Sequence, residues 1–408
     1  MTVLEASLKN FREESFKKFV SLPSENSEIF KKQTAFKEFE SQSVPREISD
    51  DMGIKILEKP EKIKIVSLDA SGLGEFYKRM DVDDKFVQMN NAFFDSGVLI
   101  EVPKNVSAGM LRVSSSVATD VFSKMIIVMG DGSDMSVVKE SYSQDDKPHS
   151  ISEDTLVVLG EGSKMDFSEL QNYNTASDCF SNKMAFCSKD SGIVWNLGMF
   201  GGSKTRSRTY NFLEGDGSSA EDLQLTFGDG DQSFDSFSNL MHIGKSTVAK
   251  NMSKGAFKDR SASIMKGMIN IGEQARGANS YLACHGMLLS KQAKANAVPS
   301  LEIKTNEVKA THSASVSPID EEKIFYLTCR GMDREEARKM LTLGFFDPLI
   351  RRISSDEIRA KVRYLVEMKW RGLRTDSFES KMLKEFVAED AIKSGDVFEG
   401  HYKYRRSP

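Results

Sequence analysis

Between residues 93 and 316 apolar and polar positions alternate in short runs, among them GVLIEV, KMIIVM, TLVVLG, GIVWNLGMF and LQLTF. Alternation with period two is what a strand with one buried face requires. Outside this stretch apolar residues recur at three and four. Leu8, Phe11, Phe16, Phe19 and Val20 share one side of a lysine- and glutamate-rich segment, Phe30, Phe36 and Phe39 lie in a second helical piece over residues 28–40, and residues 54–68 read as a strand pair or extended connection. A further helix is expected around residues 76–86. After residue 320 the helical spacing returns: Asp333 caps a helix carrying Ala337, Met340 and Leu341 that Gly344 should end, and Leu349, Ile353, Ile358, Val362, Leu365 and Val366 continue the stripe.

The change of period falls at Ser317-Pro318, since proline disfavours helix in the residue before it, and Asp320, Glu321 and Glu322 place negative charge at the positive end of the helix that follows. Three regions result: a mostly helical N-terminal domain over 1–92, a β core over 93–318 and a helical C-terminal domain over 319–408. Four Gly-acid-Gly tripeptides, at residues 130–132, 160–162, 215–217 and 228–230, mark reversals that need positive φ. So many short strands cannot form one flat open sheet, which leaves a stacked-coil solenoid or a large sandwich. Frequent Ser, Asn and Thr within the runs favour the solenoid, where stacking removes edges by repetition.

Composition narrows the function classes. Lysine and arginine number 56 against 60 aspartates and glutamates, a net charge of −4 that gives no global field for nucleic acid. The N-terminal residues are too charged for a signal peptide and no run approaches a membrane span, so a cytoplasmic protein with no membrane insertion is expected. Cys179, Cys187, Cys284 and Cys329 form no Cys-x-x-Cys pair, which argues against a disulfide framework and against a self-contained zinc or iron-sulfur site. Gly244-Lys245-Ser246-Thr247 copies the end of a phosphate-binding loop, but Asn239 stands where its first glycine belongs and the following VAKNMSKGAF reads as strand, so no nucleotide is expected on this chain. His149 lies in a polar loop, His401 in the tail, and His242 and His285 in strand patterns that suit core imidazoles. His312 sits among small residues on the last coil, where its imidazole either packs or reaches a boundary and binds a soft or borderline metal. Acids such as Asp145-Asp146 in turns leave a carbohydrate-active β-helix enzyme as an alternative, although only Trp195 and Trp370 offer indole platforms for a sugar.

Several segments resemble the SufB and SufD proteins of the SUF iron-sulfur cluster assembly machinery. They are Phe94-Asp95-Ser96-Gly97-Val98-Leu99-Ile100-Glu101-Val102-Pro103, Met241-His242-Ile243-Gly244-Lys245, Ser253-Lys254-Gly255, Pro299-Ser300-Leu301-Glu302-Ile303, Ile324-Phe325-Tyr326, Arg330-Gly331 and Gly344-Phe345. SufB-type chains carry a cysteine and a His-Glu pair where this chain has Ile303 and His312-Ser313, whereas Val308-Lys309, His312, Ala314 and Val316 match the SufD-type pattern. The resemblance implies a mainly β fold, a right-handed parallel β-helix core flanked by N-terminal and C-terminal helical domains. It also implies a non-enzymatic scaffold subunit that pairs with a SufB-like subunit and a SufC-like ABC-type ATPase; a SufB-like homodimer is the variant reading. Implied sites are His312, as a ligand to a transient cluster shared with the partner, and an ATPase-docking surface including Phe325, Tyr326, Arg330, Gly331, Ala337, Met340, Gly344 and Phe345.

Overall fold

The structure is a computed structural model that describes residues 3–23, 52–68, 73 and 76–373. The helical piece expected at 28–40, most of the turn at 71–74, the helical pattern beyond 373 and the basic tail lie outside them. The described residues fall into two compact units that meet in sequence between Pro318 and Ile319.

The first unit is a solenoid of two nine-stranded sheets. Odd-numbered strands from β3 (Ser96–Val102) to β17 (Lys294–Ile303) form one sheet, and even-numbered strands from β4 (Ser107–Val117) to β18 (Lys309–Pro318) form the other. Pairing within both is parallel, each strand in register with its counterpart one coil away. The first coil is closed by two antiparallel additions, β1 (Lys55–Glu58) on β4 and β2 (Lys64–Ser67) on β3. Alternation puts Met125, Ile127, Val137, Phe167, Trp195 and Ile269 into the space between the sheets.

Three of the Gly-acid-Gly tripeptides are rungs of one stacked corner, and the fourth, at 228–230, lies at another corner, between β12 (Ser219–Gly228) and β13 (Ser233–His242). Asn105, Gly132, Gly162, Asp190, Gly217, Ser246 and Gly277, one per coil, all have positive φ, and each donates its amide to the next rung, Gly132 to the Glu161 carbonyl at 2.7 Å and Gly217 to Lys245 at 2.9 Å. The first glycine of a tripeptide is needed for a different reason: a Cβ on Gly215 would stand 2.0 Å from the Lys189 nitrogen of the turn below. The acid between them accepts from the rung above, Asp216 Oδ1 from the Lys245 amide at 2.8 Å. Gly244-Lys245-Ser246 is one of these rungs, and strand β14 (Val248–Phe257) follows it.

Helix α1 (Val3–Ser21) buries Phe11 and Phe19, while Val20 is exposed and so leaves the stripe expected for it. The helix expected around 76–86 is two, α2 (Phe76–Arg79) and α3 (Lys85–Phe93), because Asp84 interrupts as a cap whose side chain accepts from the Phe86 and Val87 amides. Phe19, Val87 and Phe93 pack on outward residues of the odd sheet, Phe122, Ile126 and Phe180. Beneath them Lys124 reaches Asn90, Asn91 and Asp154, and Arg206 reaches Asp84 at 2.5 Å.

Charges also lie between the sheets. Lys139 sits 2.9 Å from Glu153 and 3.1 Å from Glu169, and Lys183 sits 2.6 Å from Glu169. Burial works against the Glu169 charge, yet Lys183 and Lys139 hold its carboxyl down to about 2. Asp222 lacks such a neighbour and accepts from Gln224 Nε2 at 3.0 and 3.1 Å; burial pushes its carboxyl up to about 6.

The second unit holds α4 (Glu321–Thr328), α5 (Arg334–Ile350) and α6 (Asp356–Trp370), capped by Asp320, Asp333 and Ser355. Gly344 does not end α5. Glycine costs a helix only about 1 kcal/mol against alanine, and burial of Phe346, Leu349 and Ile350 carries the helix through. Gly344 is also four residues before Pro348, where a helix loses a hydrogen bond to proline anyway. The expected stripe from Leu349 to Val366 is buried. No described helix is long and apolar enough to cross a membrane.

Two consequences can be measured by denaturant unfolding. Gly215→Ala should destabilise the protein by about 3 kcal/mol or more, as a backbone clash demands, whereas Gly162→Ala, with open space around it and only its positive φ to satisfy, should cost about 1 kcal/mol. Asp222 has a folded pKa above the ordinary carboxylate value, so its ionisation penalty is absent below about pH 4 and complete above about pH 6. Asp222→Asn should therefore stabilise the protein by about 3 kcal/mol at pH 8, about 1.4 kcal/mol per pKa unit, and be nearly neutral at pH 4.

Candidate site at the last coil of the solenoid

Backbone hydrogen bonding decides where a site can form. Each inner strand is paired on both sides, but β17 and β18 are the terminal strands of their sheets and have one paired neighbour each. A terminal strand presents a row of unpaired donors and acceptors. Residues that alternation would turn inward lose their cover there: Leu301, Ile303 and Val316 are exposed, as is Val298 on the opposite parity.

His312 lies on this edge. Its register partner on β16 (Asn279–Leu288) is Leu282, whose own partner is Asn251, next to Asp222 one coil further in. The imidazole thus continues an interior row of side chains and is exposed, with no further coil over it among the described residues. Ala314, two residues on, registers with Cys284. Burial pushes the Cys284 thiol up to about 12, so it offers no thiolate beside the imidazole. Cys179 and Cys187 are likewise buried, and Cys329 is exposed on the helical unit. Among the described residues no three His, Cys, Asp or Glu side chains come together to hold a metal ion. One imidazole cannot by itself hold an iron-sulfur cluster.

Neighbouring side chains brace the edge. Tyr281 OH lies 3.2 Å from Ser313 Oγ, and His285 Nδ1 lies 2.7 Å from Ser315 Oγ. His285 is thus half-buried on the outward parity and is not the core imidazole expected from its strand pattern; Cys284 takes the inward place. His242 is buried, bonded through Nδ1 to Thr247 Oγ1 at 2.7 Å, and burial lowers it to about 4. His149 pairs with Asp145 at 2.7 Å.

On the helical unit Phe325, Tyr326 and Met340 are 69%, 56% and 47% exposed, well above what apolar side chains keep when packing is complete. Arg330 lies 4.4 Å over the Tyr326 ring, and Gly331 after it has φ +87. Gly344 is exposed and Phe345 half-buried, while Ala337 is buried. The register of β17, which exposes the whole coil end, had no signal in the sequence beyond the motif at Pro299–Ile303.

A groove of about 620 Å³ crosses the starts of the even strands, bordered by Asp166, Glu221 and Lys250, with Tyr281 the one aromatic residue of its lining. Sugar platforms are therefore sparse there, and Trp195 is fully buried.

The family model "SUF system FeS cluster assembly, SufBD core domain" matches residues 112–345. The chain is 28% identical over 297 residues to the iron-sulfur cluster assembly protein SufD of Bacillus subtilis, covering 70% of this chain and 67% of that one. It is 25% identical over 295 residues to an iron-sulfur cluster assembly SufBD family protein of Staphylococcus epidermidis, covering 70% and 61%. A chloroplastic SufBD family protein of Arabidopsis thaliana is 27% identical over 307 residues, 71% of this chain and 54% of its own length. These relatives are named as assembly proteins, and each extends beyond the matched stretch. With more than half its length matched by the family model, the chain belongs to the SufBD family of SUF iron-sulfur cluster assembly proteins.

Proposed function

We propose that the chain is a SufD-like scaffold subunit, cytoplasmic and without catalysis of its own, that completes its last coil against a SufB-like subunit. The observation that carries this reading is the uncovered edge of β17 and β18, where unpaired backbone, apolar Val298, Leu301, Ile303 and Val316, and an exposed imidazole occur together. A second strand edge would satisfy the backbone and bury the apolar residues, and a thiolate-bearing partner would supply ligands that the described residues do not bring to His312. His312 then gives one nitrogen to a cluster assembled as cargo at the subunit boundary. A second copy of this chain would satisfy the edge equally well but would bring only another imidazole, which is why the paired form is favoured for assembly.

The exposed Phe325, Tyr326 and Met340 support docking of a SufC-like ATPase on the helical unit, since large apolar side chains concentrate binding energy when covered. A phosphate loop on that partner would supply the nucleotide chemistry for which Gly244–Thr247, a corner rung here, is not built.

Both contacts can be separated by co-purification. His312→Ala should leave recovery of both partners unchanged and lower iron and sulfide on the anaerobic complex by about tenfold or more, the scale on which disturbed coordination weakens metal binding. Ser313→Ala should leave the cluster yield near normal. A normal yield from His312→Ala would make the histidine a packing residue. Phe325→Ala with Tyr326→Ala should release the ATPase, at about 2–4 kcal/mol for each buried anchor, while the SufB-like subunit stays bound.

A further inference from the structure

Between the sheets, beside the Lys139, Glu153, Glu169 and Lys183 charges, lies a cavity of about 20 Å³ lined by Glu153, Gln171, Tyr173, Cys179, Lys183 and Ser207. A single water molecule needs about 10–15 Å³ on this measure, together with polar partners. The cavity has room for one water and little else.

The surrounding hydrogen bonds are nearly, but not fully, accounted for. Gln171 is 7% exposed, and its Oε1 accepts from the Phe200 and Gly201 amides at 3.3 and 3.0 Å. These two bonds fix the orientation of the amide and leave Gln171 Nε2 buried without a hydrogen-bond acceptor. The Cys179 sulfur contacts the Gln171 side chain, but it is a neutral thiol, because burial pushes its pKa far up, and a thiol is only a weak acceptor. Glu153 Oε2 accepts from Tyr173 OH at 2.7 Å, and Oε1, 2.9 Å from Lys139 Nζ in an ion pair, keeps a second lone pair. Lys183 is occupied by Glu169 and Ser181, and Thr205 Oγ1 donates to the Gly201 carbonyl. What remains is one strong donor, Gln171 Nε2, beside a carboxylate oxygen with a lone pair to spare. Leaving the donor alone unsatisfied in the interior would cost about 1–3 kcal/mol.

We propose that this cavity is a binding site for one internal water molecule, which accepts from Gln171 Nε2 and donates to Glu153 Oε1. An ammonium ion could not accept from the amide, and an apolar molecule would leave the amide unpaired, so the surrounding atoms select water. The bound water ties the even sheet, through Gln171, to the odd sheet, through Glu153, at the level of the buried charges, and so makes that polar layer specific for one coil register.

The test is a high-resolution crystal structure of the full chain together with oxygen-17 relaxation dispersion of water in solution. The expected result is a single peak of water-like density at about 2.7–3.2 Å from Gln171 Nε2 and Glu153 Oε1. Ser207→Val, which fills the cavity with methyl groups, should remove that peak and lower the dispersion amplitude by the contribution of one long-lived water. The proposal is overturned if the cavity of the unsubstituted chain is empty and takes up xenon under pressure, if the Gln171 amide is bonded instead to a protein acceptor, or if the density is that of a heavier ion. The unsubstituted crystal alone decides these outcomes should Ser207→Val fail to fold.

Discussion

Coil-to-coil backbone hydrogen bonding is the constraint on which the rest of this molecule depends. A parallel solenoid satisfies each strand only by the strands of the next coil, so the chain must either end its stack with something different or leave an edge. At the first coil it uses two antiparallel strands, β1 and β2. At the last coil the described residues offer nothing comparable, and the edge remains. The exposure of Leu301, Ile303 and Val316 follows directly, and so does the exposure of His312, an inward-parity residue with no coil beyond it. The exposure of His312 and the open edge are one consequence of how the stack ends.

The same stacking allows polar groups to sit between the sheets. Register places Glu169 directly against Lys139, with Lys183 close enough to hold the same carboxylate, so that each charge has a partner and the layer is tolerated at depth. Asp222 is the exception that shows the cost, its proton affinity raised by burial because only hydrogen bonds and more distant charge offset the loss of water. Buried ion pairs seldom stabilise a fold relative to apolar packing, but they penalise a slipped register heavily, since a shift by one residue would send lysine and glutamate to opposite faces.

Much of this architecture was legible from the residues. Alternating runs located the strands, and the Gly-acid-Gly tripeptides located the corners because both glycines answer backbone demands, one conformational and one steric. The rungs at Asn105, Asp190 and Ser246 are not legible, since polar residues enter positive φ at modest cost and leave no distinctive letter. Asp84 does not stand out as a cap because a run of three acids within four residues reads as surface charge. The helix through Gly344 was cut short for the opposite reason, a local propensity overruled by the burial of Phe346 and Ile350 beyond it. His312 could be singled out, but the reason for its exposure lies in the missing neighbour of β18, which no local pattern encodes.

The central claim, that the edge of the last coil is completed by another chain, is tested most directly by hydrogen–deuterium exchange of the backbone amides. The comparison is between the chain diluted to its monomer and the chain bound to a cysteine-bearing family partner. Amides of β17 and β18 should become strongly protected in the complex, while those of β3 and β4 at the closed end keep their rates. A stable complex in which β17 and β18 exchange as fast as in the free chain would contradict the account.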